Sequence, residues 1–99
     1  QALDGALASI YSNNGQQCLA GSRILVQRGI AEAFIGRFVD RAQRLRVGDP
    51  MDPATELGPL AFADHLRRVL SYVGIAQAEG ATLLTGGRRP AGFSNGRVW

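Results

Sequence analysis

Lysine is absent from the 99-residue chain: all eleven basic residues are Arg, spread from Arg23 to Arg97 and interleaved with eight carboxylates. The longest basic runs are the pairs Arg67-Arg68 and Arg88-Arg89, so the net charge of +3 is not gathered into a phosphate-tracking stripe. Nucleic acid is therefore not an expected partner. Cysteine occurs once, at Cys18, which excludes an intrachain disulfide and a cysteine-based metal cluster. Long apolar runs are missing as well. No stretch approaches the roughly 18 to 20 consecutive apolar residues of a membrane span, and the first residues, QALDGALASIY, lack a basic region followed by an apolar one. The expectation is a soluble, untargeted, cytoplasmic protein with no membrane partner. Proline is scarce, at four residues, and low-complexity stretches are absent. What is present, 45% hydrophobic and 19% charged residues in 10.6 kDa, describes a chain that packs a core and has room for at most one small domain.

Apolar spacing divides that chain into elements. Leu3, Leu7 and Ile10, with Ala6 alongside, lie on one face of a helix predicted over Ala2 to Tyr11. SNNGQQCLAGSR follows as a loop whose backbone takes unusual dihedrals near Gly15 and Gly21. RILVQ, residues 23–27, reads as a short buried strand. From Ile30 to Leu45 the positions Ile30, Phe34, Ile35, Phe38, Val39, Ala42 and Leu45 form the apolar face of a second helix, and Asp40 and Arg44 pair one turn apart on its polar side. RVGDPMDPATELGPL carries too many breakers for a regular element and is expected as an ordered loop with turns at Asp49-Pro50 and Asp52-Pro53. A third helix is predicted from Phe62 to Glu79 with Gly80 ending it. ATLLTGG then reads as a strand closed by a glycine turn, and a further strand is expected at Arg97 to Trp99. The two strand segments are joined by long helical crossovers, so the expected fold class is α/β, with helices packed on a mainly parallel sheet. No N-cap precedes Leu3 and the last strand has hardly begun at Trp99. The chain is thus expected to be a segment of a larger domain that exposes sheet edges and self-associates.

Cys18 lies at the junction of a helix and a strand, where rigid elements present reactive groups. A single cysteine is compatible with a buried small residue, a reactive thiol or no role at all. Its neighbours favour chemistry: Asn13, Asn14, Gly15, Gln16 and Gln17 before it and Gly21-Ser22-Arg23 after it offer hydrogen-bond donors and close backbone approach instead of packing. A thiolate attacking a carbonyl generates an oxyanion that needs such donors at about 3 Å.

The pattern Asn13, Gly15, Gln16, Cys18, followed by Ala20-Gly21-Ser22-Arg23, resembles the active-site cysteine signature of the NAD(P)-dependent aldehyde dehydrogenase superfamily. The likeness continues through the strand, the helix and VGDP…GPL, over essentially all of residues 1–99. The resemblance implies a partial aldehyde dehydrogenase catalytic domain without its cofactor-binding domain, belonging to a parent enzyme that oxidises an aldehyde or semialdehyde to the acid with NAD or NADP. It implies that Cys18 is the nucleophile, passing through a thiohemiacetal and a thioester. Gln17 and Leu19 would line the aldehyde pocket, and the family's general-base Glu and oxyanion Asn would lie upstream of this chain. In the family the third helix carries polar or basic residues that contact the cofactor ribose. His65 and Arg68 match them in type, against the plainer reading of an exposed polar pair. Asn13 is expected to fix the loop. The GSR and RVGDPMDP stretches are nearer to the hydroxymuconic-semialdehyde and betaine-aldehyde branches than to the CoA-acylating or succinate-semialdehyde ones. The parent is expected to be a dimer or tetramer, and the isolated chain to be inactive. A different class stays open: a small non-catalytic interaction domain with a degenerate copy of the motif, which an unreactive Cys18 thiol would reveal.

No metal is expected, because Asp49, Asp52 and Glu56 are better placed for turns and caps. Arg88-Arg89 after Gly86-Gly87 reads as a solvated turn, not a phosphate nest, since no helix start follows. There is no G-x-G-x-x-G.

Overall fold

The structure is a computed structural model in which residues 1–91 are described. Three α-helices form among the described residues, α1 (Ala2–Tyr11), α2 (Arg28–Gln43) and α3 (Ala63–Ala78). Each lies within two residues of its expected bounds, because an apolar face repeating every 3.6 residues is a local signal. Gly80 ends the last helix as expected. It takes φ +93°, its N–H bonds to the Gln77 carbonyl at 3.0 Å and the Ala81 N–H to the Ala76 carbonyl at 2.9 Å, which satisfies carbonyls the helix leaves open.

α1 and α2 are the packed pair. Tyr11 and Phe38 stack with ring centroids 6.5 Å apart, Phe34 and Phe38 at 6.1 Å, and Leu7 of α1 is buried at 8% exposure. Burial of the Tyr11 phenol raises its pKa above the usual 10, since the phenolate would lose hydration. Arg41 reaches Asp4 at 3.2 Å across the joint, and Arg44 pairs with Asp40 at 2.8 Å along α2 as its i,i+4 spacing requires. α3 packs against neither α1 nor α2.

The expected parallel sheet does not form among the described residues. Residues 23–27 and 81–84 are not helical, yet they carry no strand ladder, and the one pairing is an isolated parallel bridge between Val47 and Leu57. The reason is physical: a strand exists only where a neighbour takes its N–H and C=O groups, and no backbone hydrogen bond joins these two segments among the described residues. Leu25 is 97% exposed. The strand expected at Arg97–Trp99 falls outside the described residues.

The 46–61 segment is an ordered loop. Met51 N–H bonds to Asp49 Oδ1 at 2.9 Å and Ala54 N–H to Asp52 Oδ1 at 2.8 Å, the two turns expected at Asp-Pro. Glu56 Oε2 accepts the Arg46 N–H at 3.0 Å and pairs with its side chain at 3.4 Å, closing the loop base. These carboxylates do turn and pairing work.

Candidate active site

Cys18 sits on the corner of a tight turn. The Ala20 N–H donates to the Gln17 carbonyl at 3.1 Å, which leaves Cys18 and Leu19 as the two central residues, both exposed. Neither donates its own N–H to an acceptor among the described residues. The turn thus offers a free thiol together with two uncommitted backbone donors. Gln17 is exposed and Leu19 is 85% exposed, so neither is packed against another part of the chain.

Both ends of that turn are held. On one side the Gly21 N–H donates to the Ser9 carbonyl of α1 at 2.8 Å. Gly21 serves there for space, not for its dihedrals: a Cβ would stand 2.5 Å from Ser9 Oγ, which would have to rotate away. On the other side the backbone makes a left-handed turn through three successive residues, Asn13 (φ 51°), Asn14 (φ 57°) and Gly15 (φ 71°). Left-handed backbone costs an ordinary residue about 1–2 kcal/mol, and Gly and Asn are the types that tolerate it. Asn13 fixes this turn, its Nδ2 donating to the Gln16 carbonyl at 3.1 Å while the Gln16 N–H returns to the Asn13 carbonyl at 3.0 Å.

The neighbouring amides reach much further. Gly58 N–H donates to Asn14 Oδ1 at 2.9 Å, Asn14 Nδ2 donates to the Pro59 carbonyl at 3.4 Å, and Ala61 N–H donates to Gln16 Oε1 at 3.0 Å. These bonds tie the cysteine turn to the segment that leads into α3. By residue type the Asn14 and Gln16 amides are groups for a ligand; the structure spends the Asn14 donor and both side-chain oxygens on this tie instead. The Asn-Asn-Gly run does signal an unusual turn. Its partners lie 44 and 45 residues away and leave no local trace in the sequence.

His65 and Arg68 lie in the first turns of α3. The half-buried His65 ring sits 5.7 Å from Phe62 at a 45° tilt, and the His65 N–H closes the helix start on the Phe62 carbonyl. Arg68 is exposed, and its side chain makes no ion pair or hydrogen bond among the described residues, whereas its neighbour Arg67 pairs with Asp64. No hydrogen bond joins His65 to Cys18 among the described residues, so a thiolate–imidazole pair is not present. After α3, Gly86 and Gly87 both take left-handed backbone (φ 70° and 68°), and Gly87 packs so closely on Leu83 and Val73 that a Cβ would stand 3.0 to 3.1 Å from them.

The family model described as "Aldehyde dehydrogenase family" matches residues 1–99. The chain belongs to the aldehyde dehydrogenase family. Among curated relatives, it is 49% identical over 87 residues to 5-carboxymethyl-2-hydroxymuconate semialdehyde dehydrogenase of Escherichia coli, covering 88% of this chain and 18% of that protein. It is 44% identical over 97 residues to betaine aldehyde dehydrogenase of Brucella ovis, covering 96% of this chain and 20% of that protein. The chain therefore spans about a fifth of the length of the aldehyde dehydrogenases it matches. Among solved structures, HpcC from Thermus thermophilus superposes with a TM-score of 0.88 at 52% identity, over 90% of this chain and 17% of that one. Betaine aldehyde dehydrogenase from Staphylococcus aureus, solved in complex with NAD+, gives 0.88 at 44% identity, over 90% and 18%. The described fold is thus that of a portion of an aldehyde dehydrogenase, and the semialdehyde and betaine-aldehyde branches indicated by GSR and RVGDPMDP are both represented among its relatives.

Proposed function

We propose that this chain is the nucleophile-bearing part of an NAD(P)-dependent aldehyde dehydrogenase that oxidises an aldehyde or semialdehyde to the carboxylic acid. The observation that carries this reading is Cys18 on an exposed turn corner with its own N–H and that of Leu19 uncommitted, inside a family match over residues 1–99. Cys18 Sγ attacks the aldehyde carbon, a C–S bond forms, and the carbonyl oxygen becomes an oxyanion. The Cys18 and Leu19 N–H groups are the donors this chain offers that oxygen; such preorganised donors cost no reorganisation during reaction. When bound, NAD(P)+ supplies the acceptor for the hydride leaving that carbon. The acyl group is then held on Sγ as a thioester, which water cleaves to the acid and the free thiol.

The residues of α3 fit a nucleotide cofactor in donor chemistry. Arg68 brings guanidinium N–H groups not spent on any carboxylate, and the half-buried His65 brings an imidazole, both suited to ribose hydroxyls. The relative from Staphylococcus aureus was solved with NAD+, which supports use of NAD(P) by the parent enzyme. Gln17 and Leu19, exposed beside the thiol, line the aldehyde side. The general-base Glu, the oxyanion Asn and the cofactor domain belong to the rest of a cytoplasmic, homo-oligomeric parent. There residues 23–27 and 81–84 pair into a mainly parallel sheet, and the chain by itself is inactive.

The test is NAD(P)H formation by the complete enzyme with a panel of aldehydes. Cys18→Ser is expected to lose on the order of 10³-fold or more in turnover, as removal of a covalent nucleophile does. His65→Ala is expected to raise the cofactor Kd about tenfold, the loss of one hydrogen bond to a ligand. Turnover by Cys18→Ser near the wild-type rate, or an unchanged cofactor Kd in His65→Ala, would overturn the respective assignment.

A further inference from the structure

α3 has no helix to lean on: it packs against neither α1 nor α2, so its place relative to Cys18 depends on what fastens the two loops between them. The side chains that do so are Asn14 and Gln16. Asn14 uses both ends of its carboxamide, accepting from Gly58 N–H at 2.9 Å and donating to the Pro59 carbonyl at 3.4 Å, and Gln16 accepts from Ala61 N–H at 3.0 Å. Gln16 is two residues before the thiol and Ala61 is two residues before Ala63, where α3 begins. Asn14 is part-buried and holds a left-handed backbone at φ 57°, a conformation that persists only where surrounding contacts over-determine it.

We infer that Asn14, assisted by Gln16, is a positioning residue that sets the Cys18 turn against the start of α3, and so sets the attacking sulfur against the cofactor-binding end of the site. This rests on the reading of Cys18 as nucleophile and of α3 as the cofactor helix. Both amides bond to backbone groups of the other loop. They act through backbone groups, and a displacement of about 1 Å between reacting groups is enough to cost on the order of 10²-fold in rate.

Asn14→Gly separates this role from backbone strain, because glycine takes φ 57° freely while removing both bonds. In the complete enzyme it is expected to lower kcat about tenfold or more, with the aldehyde KM within about twofold and the thermal midpoint nearly unmoved. Asn14→Asp keeps an oxygen for the Gly58 N–H but sets its second oxygen against the Pro59 carbonyl, and is expected to recover part of the lost kcat. A kcat within about twofold of wild type in Asn14→Gly overturns the inference, as does a loss that follows the thermal midpoint and is not recovered by Asp. Should Asn14→Gly fail to fold, the same split is read from Gln16→Met, which keeps length and removes the acceptor: the kcat loss supports the inference and a normal kcat overturns it. Cys18→Ser run in parallel separates the two levels. If it turns over normally, the nucleophile reading itself has failed; if it is dead while Asn14→Gly is normal, only the positioning role has.

Discussion

Gly15 shows how a single position shapes this site. Its φ of 71° is left-handed, and a Cβ there would meet the Ile10 carbonyl, a backbone atom with nowhere to go, at 3.1 Å. Gly21 differs: its crowding partner is Ser9 Oγ, the end of a side chain that can rotate. Gly15→Ala is therefore expected to destabilise the protein by about 1–2 kcal/mol, the cost of left-handed backbone for a residue with a Cβ, and Gly21→Ala by clearly less. Urea unfolding followed by circular dichroism decides it, and equal costs would count against the geometry. The glycine and amide content of SNNGQQCLAGSR announces such a turn, and Gly15 carries the positive φ anticipated for it. Near Gly21 the expectation of unusual dihedrals misses. The chain uses that glycine for clearance against α1, which depends on a neighbour the sequence does not name.

The α1–α2 pair is the element joint on which the cysteine turn hangs, and Tyr11 is the member of it whose pKa burial shifts. Burial raises the Tyr11 pKa above 10, so the folded state resists losing that proton more than the unfolded chain does. Its contribution is complete below pH 10 and is lost as pH climbs through the raised value. The wild type is expected to lose helical stability more steeply above pH 10 than Tyr11→Phe does, read from urea midpoints between pH 9 and 11; parallel curves would contradict the burial of this phenol. Helices α1, α2 and α3 are legible in the sequence because Leu3-Leu7-Ile10, Phe34-Phe38 and Leu66-Val69-Leu70 carry their periodicity locally. RILVQ and ATLL are not, for the opposite reason: their β-branched and apolar content marks a strand's surface, but the ladder needs partner strands that the described residues do not supply. The same limit hides the Asn14 and Gln16 ties, whose acceptors and donors lie in another loop.

Taken whole, the chain exposes 7683 Å² of surface, where a folded monomer of 10.6 kDa exposes about 5,500 Å². Its radius of gyration, 14.3 Å, exceeds the roughly 13 Å of a compact chain this long. Large apolar side chains lie on that surface, with Leu19, Leu25, Met51, Phe62 and Tyr72 each more than half exposed. A surface of this kind finds cover. The 99-residue chain is expected to associate with itself and to bind a hydrophobic dye; a strictly monomeric species by light scattering at high concentration would argue against that. Within the proposed complete enzyme the same surface meets the rest of the protein, and Cys18 faces an aldehyde. The covalent step is therefore the claim to test. Complete enzyme turning over an aldehyde with NAD(P)+ is quenched in acid, digested and weighed by mass spectrometry. The peptide carrying Cys18 is expected to gain the mass of the acyl group in thioester linkage. Steady turnover with that peptide unmodified at every quench time, while Cys18→Ser turns over equally well, would contradict it.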